Sequence, residues 1–509
     1  MSTLIEFFIS PANKNRVQYK TDDIPLDNYI RSQFTCPNPA KRHSSGFHIS
    51  DSLCAITALG SCLPGIAISI IDMLNREYND LTITITPQVK RLLYPTPLDI
   101  TNIVQPLNTK YILKDHQYSA VELALTHGRG VMVLATSAGK SLIISSIIQN
   151  RQILDGDKQV LIIVPNISLV QQFHDDLIDY GFNKDDITMF TASVKFKKFN
   201  RIIVANTQYL NTNASRLPQI DLVILDEAHS CKHDSGVSKL MNSLKTTIKL
   251  GFTGSINEEL HDKWNVIGHT GPILCDVKAY ELQDKEIIAQ TDIISFTLDH
   301  GVTQPEKTRN EVLQECYDAK LKPYEITEEL INLEIAKSRF PMEISLIEKN
   351  VKFEMFLTKL TNSQKGNTVI LYDHTAHGKR IYNSCMNNCP NKQVFYIDGS
   401  IDIETREIIK KKLETNNNCI LVGNTKCIGT GISIKAINTI IFAFCAGTAS
   451  TKILQAVGRG LRLNHNKNKM LLIDINHNFK YSIRHFEERM NLYKENYNIN
   501  DFRQINVKL

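Results

Sequence analysis

Leu134-Ala-Thr-Ser-Ala-Gly-Lys-Ser141 lies between two apolar segments of different length and character. Before it, Gly130–Leu134 is a short continuous apolar run, which is typical of a strand covered on both faces. After it, Leu142–Ile148 is apolar over almost two helical turns. A strand that runs through a Gly-Lys-Ser turn into a helix is the setting of a phosphate-binding loop. We therefore predict a parallel α/β sheet whose carboxyl edge binds a nucleoside triphosphate.

The phosphate loop assigns roles to individual residues. Lys140 is expected to reach the β- and γ-phosphates, and the Ser141 hydroxyl to bind Mg²⁺. Leu134 stands where the strict pattern has its first glycine, and Ser137 stands where glycine is frequent, so a chance match is the alternative for this loop alone. The loop backbone that would cradle the phosphates belongs to Thr136, Ser137, Ala138 and Gly139.

Asp226-Glu-Ala-His229 follows another apolar run, Leu222–Leu225. A carboxylate at the carboxyl end of a parallel strand lies at the edge where nucleotides bind. We predict that Asp226 holds Mg²⁺ through water, that Glu227 orients the attacking water as general base, and that His229 belongs to the nucleotide site. The alternative, an acidic helix start, does not account for the order of the two motifs.

Two further segments extend the predicted nucleotide site. Gln117 precedes the phosphate loop, and its amide could pair with the edge of adenine; the alternative is an exposed helical residue. Thr253 and Ser255 follow the next apolar run, and their hydroxyls could link the γ-phosphate to a second lobe. Ordinary turn chemistry is the alternative for these hydroxyls.

Gln455-Ala-Val-Gly-Arg-Gly-Leu-Arg462 lies about 320 residues beyond the phosphate loop. Arg459 and Arg462 are three residues apart, on one face of a helix. A guanidinium is planar and always charged, so the pair could act as arginine fingers on the γ-phosphate, with Gln455 as its sensor. A basic surface helix is the alternative, against which Gly458 indicates a close backbone approach.

Hydroxyl- and amide-bearing loops recur at the predicted strand ends. Residues of this kind bind the phosphates of a nucleic-acid strand and read its backbone rather than its bases. The candidate nucleic-acid contacts are Pro165, Asn166, Thr207 and Thr425, with Lys41 and Arg42 near the amino terminus. Gly431, in the same loop as Thr425, is placed with the nucleotide-binding residues.

The remaining apolar runs predict two α/β lobes in tandem, preceded by a small α+β domain. The expected first-lobe strands are 130–134, 160–164, 201–205, 222–225 and 249–252, and the second-lobe strands are 368–372, 393–397, 419–422, 439–442 and 470–474. We predict an N-terminal module over 1–100, with strands near 4–9 and 81–86, a first lobe over 101–278, a partly helical connecting segment over 279–350, and a second lobe over 351–509.

Composition is that of an ordinary globular protein. The net charge of +5 permits a polyanionic partner without requiring one. The eleven cysteines form no regular framework, which favours thiols in a reducing cytoplasm over a zinc site at Cys385 and Cys389. Leu53–Ile71 is uncharged over 19 residues, but its Gly-Ser-Cys-Leu-Pro-Gly centre favours a strand, a turn and a helix to about Glu77 over a membrane span. No leader pattern opens the chain, so we expect a cytoplasmic protein.

In order and spacing these motifs resemble those of the superfamily 2 helicases, over about 111–475. Within that superfamily the chain is similar to the recombination helicases of T-even bacteriophages, notably at Phe252–Ser255, Tyr396–Ser400 and Gly429–Lys435. The resemblance implies two RecA-like lobes, ATP and Mg²⁺ as cofactors, and remodelling of branched DNA and RNA–DNA hybrids in recombination, repair and replication. It further implies single-stranded DNA binding, a monomer, and recombination or single-strand-binding proteins as partners.

The motor motifs leave other functions open. An RNA helicase, or a translocase that moves on duplexes, would carry the same residues. A P-loop kinase or nucleotide switch would need no second lobe, and the arginine helix argues against it. The N-terminal module departs most from the family; Lys41 and Arg42, with Lys90 and Arg91, favour DNA-junction binding there, and the alternative is a docking domain with a solvated basic face.

Overall fold

The computed structural model describes residues 3–39, 50–95, 103–156, 158–192, 198–257, 259–431, 436–443, 457–458, 460–461, 469–498 and 502–509. The chain divides into two compact units, Met1–Val277 and Lys278–Leu509. The first unit contains the N-terminal module and one parallel sheet, and the second contains another parallel sheet. Two tandem α/β lobes preceded by a small α+β domain were predicted, and this fold class is confirmed.

The N-terminal module is a four-stranded sheet packed with helices. Its elements in chain order are β1 (Leu4–Ile9), β2 (Val17–Thr21), α1 (Ile24–Gln33), β3 (Thr35–Pro37), β4 (Ser52–Cys54), β5 (Ser61–Cys62), α2 (Pro64–Glu77), β6 (Thr82–Ile85) and α3 (Pro87–Leu93). The sheet order is β5-β2-β1-β6, and β3 pairs with β4. The uncharged stretch thus forms a strand, a turn and a helix, as expected.

The first parallel sheet follows. Its elements are α4 (Asp115–His127), β7 (Arg129–Leu134), α5 (Lys140–Asp155), β8 (Val160–Val164), α6 (Ile167–Asp179), β9 (Ile187–Phe190), β10 (Ile202–Asn206), α7 (Thr207–Asn213), β11 (Leu222–Asp226), α8 (Gly236–Ser243), β12 (Ile248–Thr253), α9 (Leu260–Thr270) and β13 (Ile273–Val277). The order is β13-β7-β12-β11-β8-β10-β9, with every neighbouring pair parallel. Helices cover both faces, so the central strands are buried along their length.

The second unit repeats this architecture. Its elements are α10 (Ala279–Asp284), β14 (Gln290–Asp299), α11 (Arg309–Asp318), α12 (Glu328–Lys349), α13 (Val351–Ser363), β15 (Asn367–Tyr372), α14 (Thr375–Asn388), β16 (Gln393–Ile397), α15 (Ile403–Thr415), β17 (Cys419–Asn424), α16 (Thr425–Gly431), β18 (Ile437–Phe442), β19 (Lys469–His477), α17 (Lys480–Tyr497) and β20 (Arg503–Lys508). The order is β16-β17-β15-β18-β19-β14-β20, again all parallel.

Strand β14 belongs to the segment 279–350, which was expected to connect the two lobes. It lies between β19 and β20 and pairs with both in parallel, so this segment supplies a strand to the second sheet as well as helices. Pro341 lies inside α12 of the same segment.

Two kinds of feature can be assessed in the described part of the chain, membrane-spanning helices and metal-binding clusters. None of its helices is both long and apolar enough to cross a membrane. Within the same ranges, histidine, cysteine and acidic side chains form no group of three or more that could hold a metal ion, and Cys385 and Cys389 are buried thiols.

Candidate nucleotide site at the carboxyl edge of the first sheet

The phosphate loop joins β7 to α5 through two residues with positive φ. Ser137 has a φ of 74° and Gly139 a φ of 86°. The Ala138 amide donates to the Ala135 carbonyl at 3.0 Å, which closes the turn, and Lys140 begins the helix. The positive φ favours glycine at position 139, and a Cβ there would lie 2.3 Å from Gln117 Nε2 and displace that side chain.

Gln117 lies in α4 and is bonded to the loop itself. Its Nε2 donates to the Ala138 carbonyl at 3.0 Å, and its Oε1 accepts from the Lys114 amide at 3.0 Å. His116 Nε2 lies 2.9 Å from the same Ala138 carbonyl. The side chain that was expected to pair with adenine is therefore buried and holds the phosphate loop in this structure.

The sheet order brings the acidic motif beside the loop. Strand β12 pairs with both β7 and β11, so the segments that follow these three strands meet at one edge. A Cβ built on Gly254, just after β12, would lie 3.6 Å from Thr136 Oγ1 and 3.8 Å from Lys140 Nζ. The three motifs that the sequence placed at strand ends therefore converge.

Asp226 ends β11 and is 5% exposed. Its Oδ1 is buried and accepts no hydrogen bond from a protein group. Burial, reinforced by the charge of Glu227, raises the pKa of Asp226 to about 7, although the charge of Lys140 acts in the opposite direction. A buried carboxylate with an unsatisfied oxygen costs free energy, and a cation would offset that cost.

Glu227 adopts a φ of 51°, in the left-handed region that non-glycine residues seldom occupy. Its Oε2 lies 3.3 Å from His229 Nδ1, which is also 3.0 Å from Thr253 Oγ1. Because the Thr253 hydroxyl donates to the Ser255 carbonyl at 2.7 Å, it accepts from His229, which assigns the proton to Nδ1. Burial lowers the pKa of His229, against the effect of Glu227, so the ring is neutral at pH 7.

Ser141, the second expected Mg²⁺ ligand, begins α5 next to Lys140. Its hydroxyl lies 3.0 Å from the Tyr180 hydroxyl. The ring of Tyr111 packs edge-on against that of Tyr180, and its own hydroxyl donates to Asp179. These tyrosines were not predicted as site residues, because nothing in the sequence pattern around Tyr111 or Tyr180 distinguishes them from ordinary surface aromatics.

The donor set fits a magnesium–nucleotide complex. Mg²⁺ prefers oxygen ligands and usually keeps several waters, binding through one or two protein oxygens and the phosphates. Asp226 offers an unsatisfied carboxylate oxygen, and Ser141 a hydroxyl whose described partner is another hydroxyl. Lys140 supplies a positive charge near the Asp226 carboxylate. In the described residues this edge thus combines a cation, two acids and the amino end of a helix.

The candidate nucleic-acid residues of the first unit lie at neighbouring strand ends. Pro165 follows β8, and its carbonyl accepts from the Thr207 hydroxyl at 3.3 Å, which links the end of β8 to the start of α7. Asn166 caps α6, accepting from the Leu169 amide at 3.0 Å. Asn206, which ends β10, is 2% exposed and its Oδ1 has no protein partner.

In the second unit Thr425 begins α16 directly after β17. Its hydroxyl donates to Asp373 Oδ1, and Asn424 Nδ2 donates to the Asp373 carbonyl at 3.0 Å. Gly431 is the last residue of α16. Asp373 directly follows β15, so the rule that found Asp226, an acid immediately after an apolar run, could have found it as well.

Five of the predicted site residues lie outside the described residues, and their roles stay predictions: Gln455, Arg459, Arg462, Lys41 and Arg42.

Family models match both lobes. The model described as "Type III restriction enzyme, res subunit" matches residues 110–258, and "Helicase conserved C-terminal domain" matches 351–464, together just over half of the chain. The chain is a superfamily 2 helicase. The first of these matches covers the phosphate loop and the acidic motif of the helicase, and the second covers Thr425 and the arginine segment.

A curated relative is consistent with this family assignment. The "ATP-dependent DNA helicase uvsW" of Enterobacteria phage T4 is 26% identical over 368 residues, 69% of this helicase and 66% of that protein. The helicase therefore matches slightly less than two thirds of that relative's length.

Two solved structures share the fold at 14% identity. The DNA-bound restriction-modification enzyme LlaBIII aligns with 86% of this chain and 34% of its own, at a TM-score of 0.55. The S. cerevisiae protein Dbp5, bound to RNA and ADP BeF3, aligns with 77% of this chain and 89% of its own, at 0.51.

Proposed function

We propose that this helicase is an ATP-dependent motor that remodels branched DNA and RNA–DNA hybrids. ATP and Mg²⁺ bind at the carboxyl edge of the first sheet, and hydrolysis is stimulated by nucleic acid. The single observation that carries the ATP site is Asp226: a buried carboxylate with one unsatisfied oxygen, beside a phosphate loop and a second acid. Without a cationic ligand at this edge, the unsatisfied carboxylate only costs folding free energy.

Each residue of the edge then has a task. Lys140 binds the β- and γ-phosphates, together with the backbone of Thr136–Gly139. Ser141 and Asp226 would hold Mg²⁺, which when bound would supply positive charge against the phosphate oxygens. Glu227 accepts a proton from the attacking water, and the neutral His229 ring, through its bond to Thr253, keeps Glu227 and the end of β12 in register.

Nucleic acid is proposed to lie along the strand-end groups of both units. The hydroxyls and amides of Asn166, Thr207 and Thr425 suit the phosphate backbone, which predicts little base specificity. The similarity to the phage T4 DNA helicase supports DNA as the substrate, and the preference for branched forms is part of this proposal. Recombination, repair and replication in a host cytoplasm, with a monomeric motor and recombination or single-strand-binding partners, belong to the same proposal.

The test is a strand-displacement panel on matched substrates: a DNA fork, a four-way junction, an RNA–DNA hybrid, an RNA fork and a plain duplex. We expect ATP-dependent product from the fork, the junction and the hybrid, and none from Lys140→Ala. Product from the RNA fork alone would contradict the proposal and assign an RNA helicase. Hydrolysis stimulated by the plain duplex without displacement would assign a duplex translocase.

A further inference from the structure

Helix α9 holds the segment that follows the acidic motif. Asp262 Oδ1 accepts from the His233 amide at 2.9 Å, and Asn265 Nδ2 donates to the Cys231 carbonyl at 2.8 Å. Just ahead of the helix, Asn257 Nδ2 donates to the His229 carbonyl at 3.0 Å. Three side chains from one stretch of chain therefore bind three main-chain groups within residues 229–233.

That segment is attached directly to the candidate catalytic acids. His229 is two residues beyond Glu227, and Cys231 is completely buried. Asp262 and Asn265 are themselves 7% and 9% exposed, so these hydrogen bonds lie in the interior, where breaking one costs more than at the surface. A displacement of α9 therefore also moves residues 229–233, and with them Glu227.

Another face of α9 packs against the N-terminal module at backbone distance. A Cβ on Gly268 would lie 2.6 Å from Leu63 Cδ1 and 2.8 Å from Leu63 Cβ. A Cβ on Gly65, in α2, would lie 1.8 Å from the Ile267 carbonyl oxygen. Glycine on each side is what allows α2 and α9 to approach so closely, because any larger residue would separate them.

Aromatic packing extends the same contact. The Trp264 ring lies 5.9 Å from that of Phe34, and Trp264 packs against the apolar core of the module. Asn15 Nδ2 also donates to the Asn242 carbonyl at 2.7 Å, at the end of α8. An interface packed this densely transmits a shift rather than absorbing it.

We propose that α9 couples the N-terminal module to ATP hydrolysis. Nucleic acid engaged by the module shifts α2 against α9, and α9 passes the shift through Asp262 and Asn265 to Glu227. Asp262 and Asn265 are positioning residues, and Trp264 and Gly268 form the mechanical contact. The inference rests on the proposed function, in which Glu227 serves ATP hydrolysis, and on the engagement of nucleic acid by the N-terminal module.

The experiment measures steady-state ATP hydrolysis with and without forked DNA, for Trp264→Ala, Trp264→Phe and Gly268→Ala in the full chain. Trp264→Ala should lower the ratio of stimulated to basal rate by roughly 2- to 30-fold, with the KM for ATP and the affinity for the fork unchanged. Trp264→Phe, which keeps a ring against Phe34, should recover most of the stimulation. Leu260→Ala, at the 48% exposed start of the same helix, is the matched control.

Gly268→Ala provides an independent route, since it adds a methyl group at the interface and removes nothing. It should reduce the same ratio even if Trp264→Ala fails to fold. Folded Trp264→Ala and Gly268→Ala proteins with wild-type stimulation would overturn the coupling. A wild-type protein that hydrolyses no ATP under any condition would instead overturn the proposed function, so the two failures are distinguishable.

Discussion

Each parallel sheet has a buried aspartate in one of its strands, and the two carboxylates differ in their hydrogen bonding. Asp474, in β19, is fully buried and accepts from Arg489 Nε at 2.8 Å, Arg489 Nη2 at 2.7 Å and the Tyr493 hydroxyl at 2.7 Å. Asp226, at the end of β11, is 5% exposed and has an oxygen with no protein partner.

The difference in hydrogen bonding distinguishes a structural aspartate, Asp474, from a candidate site aspartate, Asp226. A buried charge that is paired and hydrogen-bonded stabilises its surroundings once formed, and removing one partner is costly. A buried charge left partly unsatisfied weakens the fold, and natural proteins retain such a group where a ligand completes it. Two sheets of the same topology thus differ in function because of single side chains at particular strand positions.

The largest effect is expected from the arginine segment 455–462. Arg459→Ala should slow ATP hydrolysis by roughly 10³-fold or more if its guanidinium stabilises the charge that develops on the γ-phosphate. The measurement is single-turnover hydrolysis with the enzyme in saturating excess over ATP, and Lys426→Ala is a control that removes a positive charge elsewhere in the same unit. Full activity of Arg459→Ala would contradict the assignment of Arg459 as an arginine finger.

The next effect concerns the paired aspartate. Asp474→Asn should destabilise the second unit by about 3–5 kcal/mol, because Arg489 is then left as a buried charge without its carboxylate. Urea unfolding followed by circular dichroism measures the change. Asp292→Asn, at an exposed position of the neighbouring strand β14, is the control. A loss below about 1 kcal/mol would show that the pair contributes little.

Acid should weaken the second unit through its buried histidines. Burial lowers the pKa of His377 to about 3 and that of His477 well below its usual value. The histidines of the unfolded chain bind protons near pH 6.5, whereas those of the folded chain do not. The free energy of unfolding therefore keeps its full value above that pH and falls as the pH drops below it. The loss is at most about 1.4 kcal/mol per pH unit for each histidine. His377→Gln should reduce this slope in urea unfolding at pH 7, 6 and 5; an unchanged slope would contradict the assignment.

The smallest effect is a gain. Asp226→Asn should raise the stability of the metal-free first unit by about 1 kcal/mol, because it removes a buried, incompletely satisfied charge. Trp264 is the only tryptophan of the chain and lies in the first unit, so its fluorescence reports on that unit alone. A destabilised Asp226→Asn would mean that the carboxylate is structural, like Asp474.

Much of this architecture could be predicted from the sequence, since strands covered on both faces appear as uninterrupted apolar runs. Ten such runs were identified, and each forms a strand of the structure. The edge strand β20, Arg-Gln-Ile-Asn-Val-Lys, was missed because four of its six residues are exposed. Strand β14 was missed because polar Gln290, Thr291 and Asp292 open it and its two partner strands lie near the carboxyl end of the chain.

The site shows the same division. Motifs that act through chemistry, such as the phosphate loop and Asp226–His229, can be recognised because few residue types perform those tasks. Contacts that act only by positioning another residue cannot be recognised from the sequence. Tyr180 against Ser141, and Asn265 against the Cys231 carbonyl, join residues 39 and 34 positions apart. Only the folded chain reveals that Gln117 holds the loop, since its amide would suit either role.

The most direct test of the central claim is the ATP hydrolysis rate of wild type, Lys140→Ala and Asp226→Asn, each with no nucleic acid, single-stranded DNA, forked DNA and RNA. Wild type should be stimulated by DNA, most strongly by the fork, and both variants should fall to background while Asp226→Asn remains fully folded. Hydrolysis by either variant near the wild-type rate would contradict the assignment of the first sheet's carboxyl edge as the ATP site.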